Sequence, residues 1–263
     1  MKTATVRLKG NGIQVMAAAG RFRGFKPIDE NPVRTTQVKV DKLVEAFSSF
    51  HCGGDATEEA YERAEKTAKG MEYSAADIEG LSLSLATCSG HLFPATDAGL
   101  FLSALINNSR EERFVLRLEH LEERLHYLGF HNTKSIMVHG SVGKHSGRGM
   151  ASGHMVIKGD AGGFAGDRMK GGTIVVENNA ASNCGHEMSG GKIVVKGDAH
   201  MPGLRMCGGK LILLGKTSMW VGIRMRGGEI HLRGDEDSIT ISEEFKGGKI
   251  FLNGKLYHGG GPE

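Results

Sequence analysis

The residues of this chain that could do chemistry begin with its histidines, whose number suggests a metal site. Four of the twelve lie within one short stretch, at His131, His139, His145 and His154. The separations between them match no standard zinc-ligand spacing. We therefore predict that these side chains hold no metal ion and that the chain binds no cofactor of its own.

Two short segments bring a possible nucleophile close to a histidine. The segment "FHCGGD" contains His51, Cys52 and Asp55, and the segment "ATCSGHLF" contains Cys88, Ser89 and His91. A working nucleophile needs a base within hydrogen-bond reach and a third group that orients the base. Neither segment has a glycine-flanked serine elbow, and the glycine-rich strings GKHSGRG and GDAGGFAG lack the pattern of a phosphate-binding loop. We therefore predict no catalytic residue in this chain.

Composition argues against several other classes of protein. The 263 residues include 33 Lys and Arg against 30 Asp and Glu, with no basic block, so nucleic acid is not an expected partner. No apolar run is long enough to span a membrane, and the N-terminus has no signal-peptide pattern. The four cysteines form no CxxC pair. We expect a cytoplasmic protein with reduced thiols and no membrane contact.

The clearest feature of the sequence is a repeat in its second half. The string "GDRMKGGTIVVENN", at residues 166–179, recurs as "GHEMSGGKIVVKGD", "GLRMCGGKLILLGK" and "GIRMRGGEIHLRGD". Weaker copies lie on either side, at 147–160 and 242–255. One anchor residue precedes each glycine pair, and the anchors are Met150, Met169, Met188, Met206, Met225 and Phe245. Their nearly constant spacing over six units indicates a repeat architecture.

The spacing within each unit predicts one coil of a parallel β-helix. The fifth and seventh residues after every anchor are apolar, as Ile174 and Val176 are after Met169. Alternate residues of a strand share one face, so these side chains would line the interior of stacked coils. We expect the anchor methionines to stack inside as well, because methionine fills irregular space. The glycine pairs would allow a corner through positive φ or close backbone approach.

The sixth residue after each anchor points outward and is apolar in five of the six units. These residues are Val156, Val175, Val194, Ile212, His231 and Phe251. An apolar ladder about 25 Å long should be covered, either by the N-terminal region or by another polypeptide. If another polypeptide covers the ladder, its five apolar members are the candidate residues that dock this partner. The outward residues just before the anchors predict a solvated face of mixed charge, and they are Gly149, Arg168, Glu187, Arg205, Arg224 and Glu244.

The segment 1–130 carries no repeat and predicts a mixed α/β region. A strand is expected at 3–10, and helices are expected at 39–50, 55–70 and 95–106. The segment that follows is ambiguous between strand and helix, and we favour a helix over 119–128. The predicted domains are therefore this region at 1–130, a β-helix of six to seven coils at 131–257, and a tail at 258–263.

The strings GDAGGFAGDRMKGGTIVVENN and GHEMSGGKIVVKGDAH resemble the GXGXG repeat family, and the resemblance covers roughly residues 134–256. That family includes the C subunit of formylmethanofuran dehydrogenase and the C subunit of the bacterial formyltransferase/hydrolase complex. The repeat more distantly resembles the C-terminal domain of the glutamate synthase large chain. The resemblance implies a right-handed parallel β-helix that holds catalytic parts together and makes no bonds itself.

The function that this resemblance implies is that of a non-catalytic scaffold subunit in a multi-subunit enzyme of one-carbon metabolism. Its partners would be the larger catalytic subunits, docked on the outward apolar ladder, and a homo-oligomer is also compatible. One alternative is a subunit of a glutamate synthase-like amidotransferase or oxidoreductase. A second alternative is a stand-alone hydrolase that uses Cys52 or Ser89.

Overall fold

The computed structural model describes residues 30–53, 58–88, 95–218, 220–234 and 239–260. Four helices come first among these residues: α1 (Glu30–Ser48), α2 (Glu58–Lys69), α3 (Ala75–Cys88) and α4 (Ala95–Asn108). The strands that follow are β1 (Arg113–Arg117), β2 (Ser135–His139), β3 (His154–Ile157), β4 (Thr173–Val176), β5 (Ala180–Ser182), β6 (Lys192–Val195), β7 (Ala199–His200), β8 (Lys210–Leu213), β9 (Thr217–Ser218), β10 (Trp220–Val221), β11 (Arg226–Leu232), β12 (Thr240–Ile241), β13 (Gly247–Leu252) and β14 (Lys255–Gly260). The expected strand at 3–10 lies outside the described residues.

Three of the four helices overlap the predicted ranges, although α1 begins at Glu30, upstream of the predicted start at residue 39. In α2, acidic residues occupy the first turn and lysines the last, which suits the helix dipole. The helix α3 was not predicted, although it begins with a capping box. The Ser74 amide donates to the Asp77 carboxylate at 2.8 Å, and the Asp77 amide donates to the Ser74 hydroxyl at 3.3 Å.

The second half of the chain winds as a parallel β-helix of about seven turns, as predicted. Its main sheet has the order β1-β2-β3-β4-β6-β8-β11-β13-β14, and every pair except the last is parallel. Equivalent residues of successive coils lie directly over one another, so that Ile174 pairs with Met155 below and Ile193 above. Two smaller sheets, β5-β7-β9 and β10-β12, complete the walls of the coils.

The interior of the β-helix is filled by the predicted apolar columns. The residues at the fifth and seventh positions after each anchor are at most 5% exposed. The five anchor methionines are fully buried, whereas Phe245 is only partly buried. One coil earlier, the same position is held by the buried Asn132. The Ala151 amide donates to the Asn132 carbonyl just as the Lys170 amide donates to the Met150 carbonyl.

The glycine pair that follows five of the six anchors serves two separate needs, as the pair Gly171 and Gly172 shows. A Cβ atom on Gly171 would clash with the backbone carbonyl of Ala151 in the coil below. Gly172 has a φ of 80°, a conformation that side chains other than glycine rarely adopt. The pair is therefore required for close stacking at its first position and for the corner at its second.

The expected helix over 119–128 is wrong, because this segment is part of the first coil. Its leucines point into the interior, and Leu125 and Leu128 are both fully buried. The Gly143 amide of the next coil donates to the Leu125 carbonyl, and the Gly147 amide donates to the Leu128 carbonyl. The ladder of coils therefore starts at β1, upstream of the boundary predicted at residue 131.

The two ends of the β-helix are closed differently. At the lower end, α4 lies against the first coil, and the Ser103 hydroxyl accepts from the amides of Gly129 at 2.9 Å and Phe130 at 3.2 Å. At the upper end, β14 folds back antiparallel on β13 through the turn Asn253–Gly254. Every residue of β14 is exposed. Residues 258–260 of the predicted tail thus belong to a strand, and 261–263 lie outside the described residues.

Candidate functional site

The six outward residues at the sixth position form a continuous column on the main sheet. Val156 pairs with Val175, Val175 with Val194, and Val194 with Ile212. The column continues to His231 and Phe251, whose rings stack at 4.5 Å. It also extends downward to Val115 and Met137, because β1 and β2 pair in the same alignment. We call this column, from Val115 to Phe251, the outer ladder.

The outer ladder stays partly accessible. Its members are half-buried against one another, and Met137 is 39% exposed. The extensive contact between helices and the main sheet is that of α3 with β1, at the lower edge of the ladder. There the Arg117 amide donates to the Ser82 hydroxyl at 3.0 Å. The described helices therefore close the end of the sheet and leave the outer ladder uncovered.

Charged residues border the outer ladder on both sides, and most of them are cationic. The cations are Arg113, Arg117, Lys158, Lys192, Lys196, Lys210, Arg233 and Lys249, and the anions on the coils from β3 upward are Glu177 and Glu229. Hydrogen bonds from His231 and Lys210 lower the pKa of the Glu229 carboxyl to about 2. Glu229 therefore stays charged at neutral pH, and the border as a whole remains positive.

A second cluster, which the sequence analysis missed, surrounds the buried carboxylate of Asp167 on one corner of the lower coils. His186 donates through Nδ1 at 2.8 Å and His145 through Nδ1 at 3.2 Å. The Arg148 guanidinium lies 3.0 Å from the carboxylate oxygen that His145 also contacts. The side chain of Asp167 is only 3% exposed, so its charge is almost completely removed from water.

The charge of Asp167 is held by its partners against the cost of burial. Burial raises the pKa of the Asp167 carboxyl. The two imidazole hydrogen bonds, together with the charge of Arg148, outweigh burial and hold that pKa below its ordinary value. The cluster therefore links three consecutive coils through one ionised aspartate.

Aromatic rings continue the same corner above and below His145. Tyr127 stacks on the imidazole at 4.7 Å and Phe164 stacks on its other side at 4.8 Å. The ring of Phe164 then meets His186 edge-on at 5.4 Å. Both imidazoles are thus held between Asp167 and aromatic rings, an arrangement that fixes the corner of the coils.

A signal for this cluster was present in the sequence. Arg148, Asp167 and His186 follow one another at intervals of one repeat. The stack equivalents of His145 are Tyr127 and Phe164, whereas His186 belongs to the neighbouring column. A search for histidines within a single column could not bring the two imidazoles together.

The four histidines considered as metal ligands point to different partners. His131 binds Glu58 at 2.9 Å, His139 lies 3.7 Å from Glu119, and His145 binds Asp167. His154 is at the edge of β3, on the border of the outer ladder. Among the described residues, no group of three or more His, Cys, Asp and Glu side chains is placed to hold a metal ion.

The possible nucleophiles are placed as follows. Cys52 is buried, and its amide donates to Asp97 at 3.3 Å. Asp97 also lies 3.3 Å from the exposed imidazole of His51, so it ties this loop to the start of α4. Asp55, Ser89 and His91 lie outside the described residues, and Cys88 ends α3. Cys184 lies inside the coils, where burial raises the pKa of its thiol to about 12.

Comparison with known proteins adds no family to this description. The chain matches no protein-family model and shows no significant similarity to the curated proteins. In the part of the chain that the structure describes, no helix has both the length and the apolar character needed to cross a membrane. The functional argument therefore depends on the surfaces of the β-helix.

Proposed function

We propose that this chain is a non-catalytic scaffold subunit and that its outer ladder docks a larger catalytic subunit of the same enzyme complex. The observation that carries this proposal is the outer ladder itself. It runs over eight coil positions, which corresponds to about 34 Å at the ordinary spacing between strands. An accessible strip of that length, apolar at every position except His231, is typical of a protein interface.

The border of the outer ladder indicates the chemistry of the partner. From β3 upward, six cations against two carboxylates leave this face positive around an apolar centre. A partner with an apolar strip flanked by Asp and Glu would match both features. Complementary charge would mainly raise the association rate and fix the orientation, while apolar burial would supply the affinity.

The upper part of the outer ladder offers an anchoring point. A depression of about 540 Å³ opens there between β8 and β11, and Ile212, Leu214 and His231 are among the residues that line it. Leu214 is 37% exposed. Interfaces often gain most of their affinity where one large side chain fills such a depression. We expect an aromatic or aliphatic side chain of the partner to occupy it.

The resemblance of the repeat to GXGXG subunits supports an enzyme of one-carbon metabolism, of the formylmethanofuran dehydrogenase or formyltransferase/hydrolase type. A glutamate synthase-like complex is the alternative that the same resemblance leaves open. The two differ in the chains that should accompany this one. A molybdopterin-binding or amidohydrolase-like chain would support the first, and flavin-binding or glutamine-handling chains would support the second.

The test is purification of the tagged full-length chain from its native cell, with identification of stoichiometric partners by mass spectrometry. We expect one or more larger catalytic chains to co-purify with the unmodified chain. The double variant Val175→Lys with Val194→Lys places two more cations in the centre of the outer ladder and should release the partner. Ala181→Lys is the matched control, because it adds a lysine at an exposed position of β5, on another wall of the coils.

Two outcomes would contradict the proposal. One is a chain that remains alone or forms only multimers of itself at its native concentration. The other is a partner that stays bound when the outer ladder carries both lysines. Thermal unfolding of each variant, followed by circular dichroism, separates a lost interface from a lost fold.

A further inference from the structure

A second surface lies on a corner of the upper coils, separate from the outer ladder. It is a cleft of about 830 Å³ between the column just before the anchors and the column just after them. Arg205, Arg224, Arg226 and Lys246 line it together with Glu187 and Glu244. A cleft of this size is within the range of small-molecule sites.

Two of the four cations contact a carboxylate and two do not. Arg205 lies 3.3 Å from Glu187, and Arg224 is paired with Glu244. Arg226 and Lys246 make no ion pair with any residue in the described ranges, and both are exposed. The four cations and two carboxylates that line the cleft leave it a net charge of +2, and Arg226 and Lys246 are the lining cations without an ion pair among the described residues.

The two unpaired cations are held next to each other by the stacking of the coils. The Arg226 amide donates to the Met206 carbonyl, and the Lys246 amide donates to the Met225 carbonyl. Both therefore occupy the position just after the anchor in consecutive coils, and Gly247, the residue that follows Lys246, pairs with Arg226 at the ordinary strand spacing of about 4.8 Å. Like charges on neighbouring coils repel each other, and an anion that bridges them would remove that repulsion.

We propose that this cleft binds a small molecule with two adjacent phosphoryl groups. Neighbouring phosphoryl groups present oxygens at a spacing that one arginine and one lysine on adjacent coils can bind together. Arginine offers a planar fork to one phosphoryl group, and lysine offers a compact charge to the other. The volume of the cleft leaves room for an organic group beside the diphosphate. Glu187 and Glu244 limit the net charge, which disfavours a long polyanion such as nucleic acid.

Cys207 provides a reporter inside the cleft. Its side chain is exposed and lines the same cleft, whereas Cys52 and Cys184 are buried. The full-length protein is labelled with a neutral thiol reagent, and modification of Cys207 is followed by peptide mass spectrometry. Inorganic pyrophosphate, a nucleoside diphosphate, orthophosphate and sulfate are compared at constant ionic strength.

We expect saturating pyrophosphate to slow the labelling of Cys207 at least about fivefold, a loss of access typical of a ligand seated over a side chain. Sulfate should have little effect. The double variant Arg226→Gln with Lys246→Gln should abolish protection. Lys170→Gln should retain it, because Lys170 is the equivalent cation three coils below Arg226 and does not line the cleft. Protection by the nucleoside diphosphate as well would identify an esterified ligand, and protection by pyrophosphate alone would identify the free anion.

The proposal is overturned if pyrophosphate gives no protection at low ionic strength or if sulfate protects equally well. It is also overturned if Lys170→Gln weakens protection as much as the double variant does. All of these substitutions are at exposed side chains, so a change in melting temperature would reveal a folding defect. Because the cleft and the outer ladder share no residue, loss of one site leaves the other measurable.

Discussion

The side chains before and after the anchors have opposite character at the two ends of the β-helix. In the lower coils, near the helices, the corner columns contain the buried Asp167, its two imidazoles and a stack of aromatic rings. In the upper coils, the columns just before and just after the anchors contain exposed ion pairs around an open cleft. The interior hardly changes along this length. The difference teaches that the interior columns determine the fold, while the corner residues can differ from coil to coil.

The largest loss of stability is expected for a substitution at the lower end of the β-helix, where α4 covers the first coil. Ser103→Ala would leave the Gly129 amide without its acceptor, and the Phe130 amide would keep only the Tyr127 carbonyl. A buried unsatisfied amide costs about 1–3 kcal/mol, so we expect a loss of roughly 2–3 kcal/mol in the free energy of unfolding. Urea denaturation measures it. Ser48→Ala is the control, because that exposed hydroxyl bonds only within its own helix and its removal should cost less than about 0.5 kcal/mol.

The next largest loss of stability is expected for a substitution of Asp167, which tests whether the Asp167 cluster stabilises the lower coils. Asp167→Asn removes the charge that three cationic or hydrogen-bonding partners require, and we expect a loss of about 2 kcal/mol near neutral pH. The pKa of Asp167 is lowered in the folded state. Its contribution is therefore present in full above the ordinary aspartate pKa, about 3.9, and is lost as the pH falls through the lower folded value.

Denaturation at about pH 5 and about pH 3 checks this dependence, since the gap between wild type and variant should narrow at the lower pH. The exposed residue Asp41 provides the control through Asp41→Asn. A gap that widens on acidification would show that Asp167 does not act as an ionised group in the folded protein.

A smaller difference should appear in native-state hydrogen exchange along the coils. Coils of a repeat protein contact only their neighbours, so the end with weaker closure opens first. The fully exposed β14 closes the upper end, and helices close the lower end. We expect amides of β13 and β14 to exchange at least about tenfold faster than those of β2 and β3, a difference of about 1.4 kcal/mol in opening free energy. Equal protection of the amides at both ends would show that the two ends of the β-helix open equally easily.

The smallest expected effect on stability comes from a comparison of one arginine in the upper coils with one arginine in the lower coils. Arg224 forms an exposed ion pair in the upper coils, and Arg224→Ala should change the free energy of unfolding by less than about 0.5 kcal/mol. Arg148 contacts the buried Asp167, and Arg148→Ala should cost about 1–2 kcal/mol. Calorimetric melting temperatures of the two variants rank them, and similar shifts would mean that the two corners do not differ in stability.

The period of the repeat was sufficient to predict the upper six coils. The apolar residues at the fifth and seventh positions after the anchors, and the glycine pairs after five of the six anchors, all contact neighbours one repeat away, so spacing in the sequence indicates spatial contact directly. The first coil could not be predicted from the repeat, for two reasons. Its anchor position is held by Asn132 and not by methionine. In addition, Arg113 pairs with Ser135, and the sequence separation of this pair is larger than that between paired residues of later coils. Its leucines, without a visible repeat, looked helical.

A candidate site could be predicted from the sequence only where all of its residues belong to one column of the stacked coils. The outer ladder was readable as a column of apolar residues. The Asp167 cluster needs residues from two columns and three coils, and the relative placement of columns depends on how the backbone turns at each corner. Residues with positive φ that are not glycine, such as Phe164 and Arg168, set those corners here. No spacing rule indicated that an aromatic ring or an arginine would adopt that conformation.

The directly superimposed pairing of β3, β4 and β6 has a consequence for how the length of this protein can change. Duplication of one complete repeat unit, such as residues 166–184, would insert one further coil without altering the contacts of the other coils. The hairpin at the top would move about 4.8 Å farther from the helices at the bottom. A chain built in this way can adjust the distance between two attached bodies in fixed steps, with copy number as the only variable.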